Sequence, residues 1–140
     1  MSNADTTVAV IGLGRMGGPI ADHVIDAGFT VAAFDVSPDA LAARVERGAR
    51  AATSPADAAQ GAQVVCLIVF DETQAAAVLD GPDGALSTLE AGAVVCVHTT
   101  VSLDGVHRLA ALGEPHGVVV LDAGISGGET GAQAGTLLTM

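Results

Sequence analysis

The stretch Val8-Ala-Val-Ile-Gly12-Leu-Gly14-Arg-Met-Gly17-Gly18-Pro-Ile-Ala21 decides the fold. A short β-branched run meets G-x-G-x-x-G, and a helical pattern follows at once. This is the context of a dinucleotide-binding turn, in which each glycine has its own physical task. Gly12 lets the chain turn sharply off the strand. Gly14 has no Cβ and lets backbone N–H groups approach a pyrophosphate, and Gly17 lets the first helix pack closely on the sheet. The helix N-terminus offers unpaired donors and the positive end of a dipole to the phosphates. Arg15, in the first turn, adds charge.

Working outward, Thr30-Val-Ala-Ala-Phe-Asp35 reads as a second strand, and Asp35 ends it 18 residues after Gly17. An acid at that place accepts hydrogen bonds from the adenosine ribose. The bland alternative is that Asp35 caps the next helix. Ser37 before Pro38 is the better cap, with proline at the first helical position, which leaves Asp35 free.

The 140 residues have the length of one domain, and half of them are hydrophobic, enough for a sizeable core. No apolar run approaches the roughly 20 residues of a membrane span. Residues 1–6, with no basic or apolar segment, read as a disordered lead-in rather than a signal peptide. The formal charge is −11, and all five basic residues are arginines. Such a surface repels nucleic acid and anionic lipid. Cys66 and Cys96 lie within apolar strand-like runs and read as buried free thiols, as expected of a cytoplasmic protein. His23, His98, His107 and His116 show no ligand spacing with cysteine, so no metal site is expected.

Strand and helix patterns alternate. Strands are expected at 7–11, 30–34, 49–51, 63–69, 93–97 and 118–121. Helices are expected at 16–27, 38–47, 54–60, 72–79, 83–89 and 102–112, with Gly28, Gly48 and Gly113 as stops. The strand runs are continuously apolar, the pattern of strands buried on both faces. The expectation is an α/β, Rossmann-type, doubly wound parallel sheet, a single domain over 7–140. After a polar, Gly-rich stretch, Gly135-Thr-Leu-Leu-Thr-Met140 starts a further strand and stops, so the domain reads as truncated.

Gly12-Leu-Gly-Arg-Met-Gly17 resembles the G-L-G-x-M-G of the β-hydroxyacid dehydrogenases. That group includes 3-hydroxyisobutyrate dehydrogenase and tartronate semialdehyde reductase, and is related to 6-phosphogluconate dehydrogenase. Asp122-Ala-Gly-Ile-Ser-Gly-Gly128 resembles the family's D-A-P-V-S-G-G, and Gly131-Ala-Gln-Ala-Gly-Thr136 is family-like. The resemblance is to the N-terminal NAD-binding domain and runs from about Thr7 to Met140. Ile68-Val-Phe-Asp-Glu-Thr-Gln74 is similar to the sugar-acid branch that includes L-threonate dehydrogenase.

The resemblance implies a cofactor site of Gly12, Leu13, Gly14, Arg15, Met16 and Gly17 at the pyrophosphate and Asp35 at the ribose. Phe70, Asp71 and Gln74 follow the fourth strand, and Thr100 follows the fifth, toward the nicotinamide half. It implies that Ser126, Gly127 and Gly128 hold a substrate's carboxylate and hydroxyl, with their N–H groups forming an anion nest. Gly124 stands where the family has proline, and His98 where a small hydroxyl residue is common. A histidine ending an apolar strand is more often a hydrogen-bonded, partly buried side chain than a base. The family's catalytic lysine and its helical C-terminal domain fall outside this chain, which has no lysine, so no catalytic residue is assigned. NAD is expected over NADP, because Asp35 would repel a 2′-phosphate. The parent would act on a small β-hydroxy acid as a homo-oligomer. Two alternatives are a non-catalytic nucleotide-binding module and a methyltransferase using S-adenosylmethionine. The G-L-G-x-M-G form and the S-G-G segment argue against the methyltransferase.

Overall fold

The computed structural model describes residues 2–140. Strand β1 (Thr7–Ile11) runs into α1 (Gly17–Asp26), and β2 (Thr30–Phe34) into α2 (Pro38–Glu46). Then come β3 (Arg50–Ala51), α3 (Pro55–Ala59), β4 (Val64–Leu67), α4 (Glu72–Asp80), β5 (Val94–Val97), α5 (Leu103–Gly113) and β6 (Val119–Asp122). These six strands form one sheet of order β3-β2-β1-β4-β5-β6, and every neighbouring pair is parallel. The order reverses between β1 and β4, and ligands of such sheets bind at that switch point, beyond the carboxyl ends of the strands. A separate antiparallel ribbon pairs β7 (Ile125–Ser126) with β8 (Leu138–Thr139) across α6 (Gly128–Ala134).

Side chains alternate between the faces of a strand, and here each face has its own core. Ala9, Ile11, Val65, Leu67, Val95 and Val97 pack with Ala58, Ala59, Leu79 and Leu109 of α3, α4 and α5. Val8, Val10, Val31 and Ala33 pack with Ala21, Val24, Ile25 and Leu41 of α1 and α2. The helices start as the sequence predicts. Ser37, Ser54 and Ser102 each accept an N–H of the first turn, and proline follows Ser37 and Ser54 at once. Gly28 and Gly48 end α1 and α2 with positive φ.

Five expectations need correction. Burial on both faces holds for β1 and β2, but β4 and β5 alternate between buried and half-buried residues, and on β6 Val119 and Leu121 are 49% and 47% exposed. The physical reason is reach. The core under α1 and α2 extends along the sheet only to Val64 and Cys66 of β4. Cys66 and Cys96, in register on β4 and β5, are therefore half-buried rather than buried.

The lead-in is not loose. Asn3–Asp5 forms a 3₁₀ turn in which Ser2 N–H and Oγ–H donate to Asp5 Oδ2 at 2.9 and 3.0 Å. Asn3 Nδ2 donates to Ala27 O, and Thr30 Oγ–H to Ala4 O, which pins the turn to the ends of α1 and β2.

Gly113 does not stop α5 by its backbone conformation. It is helical and buried, and a side chain there would crowd Val118 O at 2.5 Å; Gly117 takes the left-handed turn instead. The helix expected over 83–89 shrinks to a 3₁₀ turn at Ala85–Ser87. The polar, Gly-rich stretch before Gly135 holds α6, which the sequence pattern does not announce.

Candidate cofactor site

A cleft of about 650 Å³ opens at the switch point. Its floor and one wall come from the β1–α1 turn, with Gly12, Gly14, Arg15, Met16 and Gly17. Phe34, Asp35 and Val36 line it from the end of β2. Ile68, Val69 and Phe70 line it after β4, and Gln74, Ala77 and Val78 from α4. The volume lies within the roughly 300–1,000 Å³ of small-molecule sites.

The three motif glycines behave differently. Gly12 has φ +95°, and a methyl group there would overlap Ile68 O. A methyl group on Gly17 would overlap Gly12 O, so this glycine lets α1 sit on the turn. Gly14 has no atom within 4 Å of where a Cβ would stand. Its bareness serves no internal packing and leaves room for a ligand against the backbone. Gly18 N–H closes the first turn onto Gly14 O, while the N–H groups of Arg15, Met16 and Gly17 have no partner among the described residues. Together they present orphan donors at a helix N-terminus, the arrangement that suits a phosphate.

Asp35 is not free as the sequence suggests. Its Oδ2 accepts from Leu13 N–H at 2.7 Å and its Oδ1 from Ser37 N–H at 2.7 Å. Each carboxylate oxygen keeps further lone-pair capacity for a ribose hydroxyl. Leu13 itself is buried and enters the site through this N–H rather than through its side chain.

Past β4, Phe70 projects at the cleft, 86% exposed, and Gln74 Oε1 accepts from Phe70 N–H at 3.0 Å. Asp71 does not line the cleft. It caps α4, with Oδ1 accepting from Gln74 N–H at 2.9 Å. Thr100 is exposed at the end of β5 and outside the lining, while its neighbour Thr99 is buried. Thr99 Oγ1 accepts from Val69 N–H and donates to Val69 O, both at 3.0 Å, and so clips the end of β5 to the loop that carries Phe70. Ser126, Gly127 and Gly128 lie on the β7–α6 junction, past the carboxyl end of β6 and away from the cleft walls. Gly127 and Gly128 have φ of +131° and +63°. His98 is part-buried, as expected, and holds Ala123 O at 2.8 Å.

Sequence reasoning missed Val36 and the inner face of α4, Ala77 and Val78; only adjacency to Asp35 would have signalled Val36. It also missed Arg44. This guanidinium lies against Gly18, where a Cβ would overlap it, and pairs with Asp22 at 3.0 Å. The Nε–H is not aimed at the carboxylate, so this is an ion pair without a well-formed hydrogen bond. Burial pushes the Cys66 thiol up to about 12, with a smaller push from Cys96, and burial also raises Cys96. Among the described residues no three or more His, Cys, Asp or Glu side chains converge as a metal site requires, and no helix is long and apolar enough to cross a membrane.

A family model described as the NAD binding domain of 6-phosphogluconate dehydrogenase matches residues 7–140. The chain belongs to that family. The match covers the glycine turn, Asp35 and the β7–α6 junction alike. This NAD-binding domain is 35% identical over 132 residues to 3-hydroxyisobutyrate dehydrogenase of Pseudomonas aeruginosa, covering 94% of the chain and 44% of that protein. It is 37% identical over 138 residues to L-threonate dehydrogenase of Pectobacterium atrosepticum, covering 98% of the chain and 45% of the relative. The crystal structure of Mycobacterium tuberculosis 3-hydroxyisobutyrate dehydrogenase with L-serine superposes with a TM-score of 0.91 at 31% identity, covering all of this chain and 46% of that one. The domain therefore spans about half the length of the relatives it matches. The site's residues fit the dinucleotide that the family is named for: a bare glycine, orphan donors and a carboxylate in register.

Proposed function

We propose that this domain binds NAD as the cofactor half of a dehydrogenase acting on a small β-hydroxy acid. The observation that carries the reading is the joint Gly14–Asp35 arrangement. The open glycine and the residues with orphan N–H groups line the cleft, and the carboxylate of Asp35 is tied to the same loop through Leu13. Arg15, Met16 and Gly17 hold the pyrophosphate through backbone donors. Asp35 takes the adenosine ribose, and Phe70 and Gln74 border the inner part of the cleft. Bound NAD supplies the hydride acceptor, and the protein supplies position and field. Thr100 faces the nicotinamide half, and Ser126, Gly127 and Gly128 hold the acid's carboxylate and hydroxyl. The names of the relatives support this class of substrate.

NAD is preferred over NADP. Asp35 would meet a 2′-phosphate as a like charge, and no arginine lies in Val36-Ser-Pro38 to neutralise it. Arg44, further along α2, is engaged by Asp22. The exposed apolar residues Val119, Leu121, Leu138 and Met140 suit association between copies of the protein.

Calorimetric titration of the 140-residue chain with NAD and with NADP tests the reading. Binding of NAD at least about tenfold tighter, that is ~1.4 kcal/mol, supports it, and equal or tighter NADP binding sinks the preference. These 140 residues contain no lysine, and general acid–base help is worth about 10²–10⁴ in rate, so by themselves they should form no NADH from 3-hydroxyisobutyrate or L-threonate. Turnover above buffer would refute that expectation.

A further inference from the structure

We infer that His98 is a positioning residue: its Nδ1–H fixes the point at which the chain leaves β6, and through it the placement of Ser126, Gly127 and Gly128 toward a hydroxy acid. The inference rests on the proposed dehydrogenase reading and adds to it a residue outside the cofactor cleft.

Strands β5 and β6 form the last parallel pair of the sheet. Their register runs from Val94↔Val119 to Val97↔Asp122, and Ala123 N–H donates to Val97 O at 2.9 Å. In a parallel pair the bonds alternate evenly between the strands, so the next acceptor is Ala123 O and its regular donor would be Thr99 N–H. That bond is not made. The side chain of His98 supplies the donor instead, with Nδ1 2.8 Å from Ala123 O. A carbonyl only accepts, so Nδ1 carries the proton whichever charge the ring has. His98 thus adds one side-chain bond to the ladder where its backbone ends.

Ala123 is buried, and its carbonyl without a donor would be a buried orphan. Gly124 has no atom within 4 Å of a Cβ position and no positive φ, so neither packing nor conformation requires glycine there. It adds chain freedom right after the anchor. The turn is also tied by Met140 N–H to Gly124 O at 2.8 Å, one residue past β8, and by the β7–β8 pairs Ile125↔Thr139 and Ser126↔Leu138. Ser126 stands three residues beyond Ala123, and Gly127 and Gly128 follow at once.

His98→Asn, His98→Gln and His98→Ala, made in this chain, test the inference. An asparagine amide nitrogen sits where Nδ1 does, one bond from Cγ, and can donate to the same carbonyl; the glutamine amide lies one bond further out. Amide hydrogen exchange over residues 124–128 should speed up about tenfold in the Ala and Gln variants, the worth of one hydrogen bond, and stay within about twofold of wild type in Asn. NAD affinity should be unchanged in all three, because His98 does not line the cleft. Affinity of the NAD-loaded protein for 3-hydroxyisobutyrate should fall about tenfold in Ala and Gln and be kept in Asn. Unaltered exchange in Ala, failure of Asn to rescue, or an equal loss of NAD affinity overturns the inference. So does a wild type that binds NAD but not the acid. If the wild type binds no NAD, the dehydrogenase reading and the substrate role fall together, and the exchange pattern still decides whether His98 anchors the turn.

Discussion

Leu13 N–H donates to the Asp35 carboxylate across 2.7 Å, which joins the glycine turn after β1 to the acid at the end of β2. The proposed ribose contact and the stability of this loop would therefore share one side chain. Asp35→Ala should lose both the Leu13 and the Ser37 hydrogen bonds. The expected cost is about 1.5–3 kcal/mol, the usual range for bonds to a charged acceptor. NAD should bind at least about tenfold more weakly, ~1.4 kcal/mol, and the gap to NADP should narrow. Urea denaturation and calorimetry read the two effects separately. Loss of stability with NAD affinity intact would remove Asp35 from the site.

Gly12 and Gly14 should separate folding from binding. Gly12→Ala forces a side chain into φ +95° and onto Ile68 O. Strain of that kind costs about 1–3 kcal/mol before the overlap is counted, so the variant should be strongly destabilised. Gly14→Ala meets nothing and should stay within about 0.5 kcal/mol of wild type. It should nevertheless weaken NAD binding, because the new methyl group would fill the space proposed for the cofactor's approach. Thermal melts with and without NAD settle this. A Gly14→Ala protein with wild-type affinity would show that the open space beside Gly14 is not used.

The glycine turn, the order of strands and helices and the acid after β2 were legible because each depends on local chemistry. Gly12 needs a positive φ, Ser37-Pro38 starts a helix, and apolar runs mark strands. What was not legible depends on partners far along the chain. Thr99 meets Val69, 30 residues away, and His98 meets Ala123, 25 residues away. The exposure of Val119 and Leu121 depends on what covers the sheet, which an apolar run cannot state. Helix α6 escapes because Gly128 and Gly131 are poor helix formers; the left-handed Gly135 ends it. Asp71 is a different case. Asp71-Glu-Thr-Gln74 has the spacing of a helix cap, and that local signal accounts for the bond from Gln74 N–H to Asp71 Oδ1.

Acid should weaken the fold partly through Asp57. Thr53 N–H and, to a lesser degree, Arg50 hold its carboxyl below the usual range, against the opposing effect of partial burial. A carboxyl with a lowered folded pKa contributes stability that is present above its unfolded value, about 3.9, and is lost as pH falls through the folded one. Asp57→Asn should therefore be less stable than wild type at pH 7, and the difference should shrink below pH 4. Urea midpoints at pH 7, 4 and 3 measure it. A constant difference across that range would show that the charge of Asp57 is not what stabilises the β3–α3 corner.

The two thiols should resist modification in the folded protein, Cys66 more than Cys96. They sit in register on neighbouring strands, and burial first, then the neighbouring thiol, pushes Cys66 up to about 12. The thiolate is the reactive form, so at pH 8 Cys66 should react with iodoacetamide on the order of a thousandfold more slowly than an unperturbed cysteine. Cys96, raised by burial alone and nearer the uncovered part of the sheet, should react first. The sign for stability follows from the same shift. A thiol whose folded pKa is raised contributes stability that is present below the unfolded value, about 8.5, and is lost as pH rises toward the folded one. Cys66→Val should therefore flatten the loss of stability between pH 8.5 and 11. Mass spectrometry of time-resolved alkylation, with urea midpoints over that pH range, checks both. Alkylation of Cys66 at the rate of a free cysteine while the protein stays folded would mean that its face of the sheet opens to solvent.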